Sequence, residues 1–161
     1  METRLEAAEQ RDKENRRNNV ILYKVPESNA DRADDRNKAD VSFCLQLFNN
    51  CLSVGMAEED LLHVFRLGRR EGTDDRPLMV QLASYTYKNL IMQSLYKLKH
   101  AEQKFRGIIL AHDMTMLERE ECKKLVAETK RLAQQDTSGE YLYRVRGNPG
   151  QMRVVKIKRR Q

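Results

Sequence analysis

Nowhere does this sequence approach the roughly 18 to 20 consecutive apolar residues that cross a bilayer, and its first residues, METRLEAAEQ, lack the apolar centre of a signal peptide. A soluble intracellular protein with no membrane partner is the expectation. Cysteine is scarce and odd in number, with Cys44, Cys51 and Cys122 widely spaced. That pattern speaks against a disulfide frame and for reduced thiols. The three histidines, His63, His100 and His112, stand far apart, and the chain has no HExxH, CxxC or GxSxG and no phosphate-cradling glycine loop. No catalytic constellation, metal site or cofactor is expected. His112 beside Asp113 reads as the neighbour of a helix cap. Glu118, Glu120 and Glu121 read as acids placed where a helix macrodipole favours them. At 161 residues the chain is too short for a large catalytic barrel and has room for one medium domain or two small ones.

What the chain does have is charge. Charged residues make up 34%, hydrophobic residues 40%, mean hydropathy is -0.77, the net charge is +6 and the pI is near 9.3. From Gly139 onward seven basic residues, Arg144, Arg146, Arg153, Lys156, Lys158, Arg159 and Arg160, face one acid, Glu140, so the whole formal excess lies there. Such an imbalance favours an anionic partner.

The hydrophobic pattern divides the chain into three parts. Residues 1–17, rich in Glu, Arg, Lys and Ala and without Gly or Pro, read as a solvated helix. Leu5 and Ala8 begin a heptad phase that Asp12 and Asn15 continue in polar form, like the end of a coiled coil. Residues 18–112 read as strand (Asn19–Val25), helix (about Asn37–Leu52), strand (HVFRLGRR), strand (RPLMVQLA), helix (about Tyr87–Lys99) and strand (GIILAHD). This order predicts an α+β fold of the ferredoxin-like, RNA-recognition-motif type. Residues 113–161 read as a small second domain. Thr115 to Glu118 form a capping box, a helix runs to about Gln134, DTSG breaks it, and strands EYLYRVR and QMRVVKIK meet at a Gly147–Gly150 turn.

Alternation along the last two strands puts Leu142, Arg144 and Arg146 on one face and Tyr141, Tyr143 and Val145 on the other. Lys156 and Lys158 share a face of the partner strand, with Arg153 opposite. A second basic set, Arg16 and Arg17, Arg66, Arg69 and Arg70, and Arg76, gathers at the expected strand ends. Together these predict phosphate binding, salt-sensitive and without sequence readout. The outward positions of the central strands, Ile21, Pro77 and Met79, carry no aromatic, so base stacking on the sheet is not expected. A sheet of this kind can also dock a peptide or helix, which makes a protein-interaction module the alternative.

The tetrad Arg16-Arg17-Asn18-Asn19 before NVILYKVPE, then FRLGRR, RPLMVQLA, GIILAHDMT and the ending YRVRGNPGQMRVVKIK, resembles the nucleic-acid-binding first-open-reading-frame protein of LINE-type non-LTR retrotransposons. The resemblance implies a homotrimer formed through the N-terminal helix, a non-standard RNA-recognition domain, a small C-terminal domain and RNA held in a cleft between them. It also implies a chaperone of single-stranded RNA, with DNA a further ligand, acting in a cytoplasmic ribonucleoprotein that can also enter the nucleus. By position it assigns nucleic-acid contacts to Arg17, Asn19, Arg66, Arg69, Arg70 and Arg76, and matches a C-terminal-domain aromatic to Tyr141 or Tyr143, beside the hairpin cations Arg144, Arg146, Arg153 and Lys156.

Overall fold

A computed structural model describes residues 3–72 and 74–160. It is a mixed helix and sheet protein that divides into two compact units. One runs from Glu14 to Asp113. The other joins the described residues up to Lys13 with those from Met114 onward.

In the first unit the elements follow as β1 (Asn19–Tyr23), α2 (Ala33–Gln46), β2 (Leu61–Arg66), β3 (Leu78–Leu82), α3 (Tyr85–Gln93), α4 (Gln103–Arg106) and β4 (Ile109–His112), after the helix α1 (Arg4–Arg16) that leads into it. The strands form one antiparallel sheet in the order β2-β3-β1-β4. Alternation along each strand sends Val20, Leu22, Val64, Leu78, Val80 and Leu110 to one face, where they join Cys44, Leu47, Phe48, Leu52, Ile91 and Phe105 from the helical segments in a single core. Phe43 meets Phe105 edge to face at 5.4 Å.

The expected helices lie where the apolar stripes are, but their ends differ. α2 begins at Ala33, four residues before Asn37, because its first turn, ADDR, is polar and carries no stripe. Asp34 and Asp35 favour a helix start there through the macrodipole. Its last residues widen into a π-helical turn, Leu47–Cys51. α3 is capped by Ser84, whose side chain accepts from the Tyr87 N–H. It gives way after Gln93 to a 3-10 segment, Leu95–His100, in place of one helix to Lys99. On α3 Leu90 is 41% exposed, while Lys88 is buried.

The second unit holds α5 (Met116–Gln135) and the hairpin β5 (Tyr141–Arg146) with β6 (Arg153–Lys158). The capping box closes from both sides: the Glu118 N–H donates to Thr115 Oγ1 at 3.2 Å, and the Thr115 N–H donates to Glu118 Oε1 at 3.1 Å. Thr115 Oγ1 also donates to Glu9 Oε1 at 2.6 Å, tying α1 to the start of α5. The hairpin turn requires glycine at Gly147, whose φ is +111° and where a Cβ would come within 2.5 Å of the Gln151 carbonyl oxygen.

Candidate nucleic-acid interface

The register of the hairpin sorts its charges. Arg146 stands directly opposite Arg153, and Arg144 opposite Val155. Directly opposed residues share a face, so Arg144, Arg146 and Arg153 form one arginine face with Leu142, Val155 and Ile157 between and beside them. Tyr141, Tyr143, Lys156 and Lys158 belong to the other. All three arginines are exposed, and among the described residues none forms an ion pair with a carboxylate. Arg144 and Arg146 each donate one N–H, to the carbonyls of Tyr143 and Val145, at 2.9 and 3.1 Å. The rest of each guanidinium fork is turned to solvent. Like charges facing each other across a ladder are destabilising, and an anion bound between them removes that repulsion while accepting from two forks at once.

On the other face the Lys156 ammonium lies 4.0 Å from the centre of the Tyr141 ring. Tyr143 donates its hydroxyl to Asp136 Oδ2 at 2.8 Å. Asp136 also accepts from the Ser138 hydroxyl and N–H. These bonds hold its carboxyl below the usual range, Ser138 contributing most and Tyr143 next, while the bond to Asp136 pushes the Tyr143 phenol up. Tyr143 thus closes the loop between α5 and β5 with its polar end.

In the first unit the expected basic residues part company. Arg17 is exposed, its guanidinium 4.2 Å over the Tyr85 ring. Arg69 and Arg70 are exposed in the loop after β2. Arg66 is not available to a ligand: its side chain is 6% exposed, and every N–H of the guanidinium is used. Nε donates to Asp40 Oδ2, Nη1 to the carbonyls of Val25 and Arg76, and Nη2 to the Pro26 carbonyl and to Asp40 Oδ1 at 2.6 Å. Arg76 is likewise engaged, paired with both oxygens of Glu27 and donating to the Gly68 carbonyl. The Arg76 side-chain bond is the first cause that holds the Glu27 carboxyl below its ordinary value. Arg66 and Arg76 were expected to form an open basic rim. They clamp the ends of β2 and β3 because carboxylates from distant segments, Asp40 on α2 and Glu27 after β1, fold onto them.

Asn19 corrects a second expectation. It is 6% exposed, and its amide donates to Asp113 Oδ2 at 2.9 Å, while Arg16 donates to Asp113 Oδ1 at 2.7 Å. Asp113 therefore joins the end of α1 to the start of β1, a role its neighbourhood to His112 did not announce. His112 itself, on β4, is lowered from 6.5 to about 4, first by burial and then by the Lys88 charge.

A further difference concerns the sheet. Its face away from α2 and α3 holds one directly opposed row of Phe65, Met79, Ile21 and Ala111, and beside it the pair Tyr23 and Ile109. Phe65 is 42%, Tyr23 38% and Ile109 49% exposed. Aromatics do stand on this face, at the end of β1 and on β2. The central strands carry none at their middle positions, Ile21 and Met79.

No family model matches the chain, and neither does any curated protein. Among the described residues no group of three or more His, Cys, Asp and Glu side chains is placed to hold a metal ion, and no helix is long and apolar enough to cross a membrane.

Proposed function

We propose that this protein binds single-stranded nucleic acid, RNA in the first place and DNA by the same contacts, and acts as a chaperone without catalysing a reaction. The observation that carries this reading is the hairpin face on which Arg144, Arg146 and Arg153 stand together, exposed and without a carboxylate partner among the described residues. Phosphates along a flexible strand suit forked donors spaced in this way. Arg17, Arg69, Arg70 and Lys156 supply further exposed cations.

The element order of residues 14–113 and the strand order β2-β3-β1-β4 support a ferredoxin-like arrangement of the RNA-recognition type. The likeness to retrotransposon first-open-reading-frame proteins fits the same picture. It also makes α1 the end of a trimer-forming helix, a role that suits a helix with no buried residue and with Leu5 83% exposed. A protein-docking module is the rival reading, drawing on the exposed apolar residues of the open sheet face. Salt separates the two. For a phosphate binder the logarithm of affinity for a single-stranded oligonucleotide falls linearly with the logarithm of salt, by about 0.7 per phosphate neutralised. A flat line in that titration sinks the proposal.

A further inference from the structure

On its helical side the first unit carries a second group of cations. Between Gln93 and Gly107 stand four basic residues, Lys97, Lys99, Lys104 and Arg106, with His100 and a single acid, Glu102. The chain here runs from α3 through the 3-10 segment Leu95–His100 into α4. A 3-10 helix repeats every three residues, so Leu95 and Leu98 fall on one line and Tyr96 and Lys99 on another. The two leucines pack against the core beside Ala101 and Phe105. That sends Tyr96 and Lys99 to solvent, about 6 Å apart along the segment at a rise of roughly 2.0 Å per residue. Tyr96 is 67% exposed, the Lys97 ammonium 6.0 Å from its ring centre.

The cations of this segment divide between fold and solvent. Lys97 is engaged in the fold, donating to the Leu52 carbonyl at 3.2 Å. Lys99 and His100 are exposed, and among the described residues no carboxylate pairs with either. Arg106 is exposed and donates its Nε–H to the Ala101 carbonyl at 2.7 Å, which leaves the two terminal nitrogens of the fork to solvent. Lys104 donates to Gln46 Oε1 at 2.8 Å, and Glu102 reaches it at 3.9 Å in an exposed pair of little strength.

An exposed ring beside an open guanidinium fork and an unpaired ammonium suits an unpaired polynucleotide, whose backbone offers anions and whose bases offer flat faces. The hairpin arginines already give the second unit one phosphate-binding surface. A chaperone that joins or exchanges strands has to hold two of them at once, and a chain with one such surface on each unit does so. We infer that Tyr96, Lys99 and Arg106 form a second single-strand contact, through which one chain holds two strands. This inference rests on the proposed single-strand binding and gives its chaperone part a surface of its own.

Because the chain has no tryptophan, Tyr96→Trp places a single fluorophore at the exposed ring position. Its emission should be quenched by a short oligothymidylate, and equally so when Arg144, Arg146 and Arg153 are all replaced by alanine. In that background Lys99→Ala with Arg106→Ala should lower the slope of log affinity against log salt by about 1.4, at about 0.7 per phosphate contact. The same two replacements in the otherwise unchanged chain should abolish its acceleration of annealing between two complementary oligonucleotides, while anisotropy still reports oligothymidylate bound at the hairpin. Unquenched emission from a Tyr96→Trp protein that binds oligothymidylate, or annealing that survives the double replacement, overturns the second contact and leaves hairpin binding standing. Quenching by polyglutamate and not by oligothymidylate overturns it as well and gives the surface to an acidic protein segment. Failure of the wild-type protein to bind oligothymidylate at all overturns both readings.

Discussion

The arginines at the ends of β2 and β3 and those of the hairpin are used in opposite ways. Between Glu14 and Asp113, Arg66 and Arg76 are drawn into the fold by Asp40 and Glu27, over a core of fully buried aliphatic and aromatic side chains. In the unit built from α5 and the hairpin, the buried residues among those described are Thr115, Glu118 and Thr129, all polar, and no residue of β5 or β6 is buried. Its arginines stay outside. A basic residue serves stability where the chain brings it an acid, and remains open to a ligand where it does not. A unit with so little buried apolar surface also gains proportionally more from a bound partner than one with a complete core.

The sharpest way to break this contrast is to remove a clamp. Arg66→Ala leaves Asp40 buried and unpaired and should cost about 3–5 kcal/mol of stability, read by denaturant unfolding. At concentrations where the variant remains folded, its binding to oligothymidylate should be unchanged. A loss of affinity without a loss of stability would return Arg66 to the interface.

The converse change is Arg144→Ala, Arg146→Ala and Arg153→Ala together. It should weaken binding to unrelated single strands equally and lower the slope of log affinity against log salt by about 2, at about 0.7 per lost phosphate contact. Stability should hold or rise slightly, since the opposed pair Arg146 and Arg153 is relieved. Unchanged binding would show that the hairpin is not the contact surface.

Acid sharpens the comparison on the side of the first unit. His112 is held near 4 in the folded chain against an ordinary 6.5, so between these values the unfolded chain binds more protons. The contribution is fully present above about pH 6.5 and is lost as pH falls towards 4, amounting to up to about 2 kcal/mol after allowance for partial exposure. His112→Gln should flatten the pH dependence of thermal unfolding in that window. The smallest effect belongs to the second unit. Thr115→Ala removes the cap of α5 and should cost about 1 kcal/mol, restored in part by Thr115→Ser.

Much of the fold was legible because periodicity reports burial directly. Val20 and Leu22, the α2 stripe through Cys44 and Phe48, and the Thr115 to Glu118 box each carry their signal within a few residues. The first turn of α2 and the break after Gln93 carried none, since one is polar and the other keeps its apolar spacing through a 3-10 segment. The candidate site was less legible. Arg66 and Arg69 look alike three positions apart, and only the first meets Asp40, 26 residues away in the chain.

The amino-acid sequence by itself determined that the positive charge collects after Gly139, that α5 starts at Thr115, and which residues alternate along each strand. These depend on composition and on neighbours within a turn or two. Only the tertiary structure decided that Arg153 joins Arg144 and Arg146 on one face, that Phe65 lines up with Met79 and Ile21, and that Asn19, Arg66 and Arg76 turn inward. Strand register and the arrival of a distant carboxylate are long-range events. A one-residue slip, or an acid that never arrived, would have given the same side chains the opposite employment.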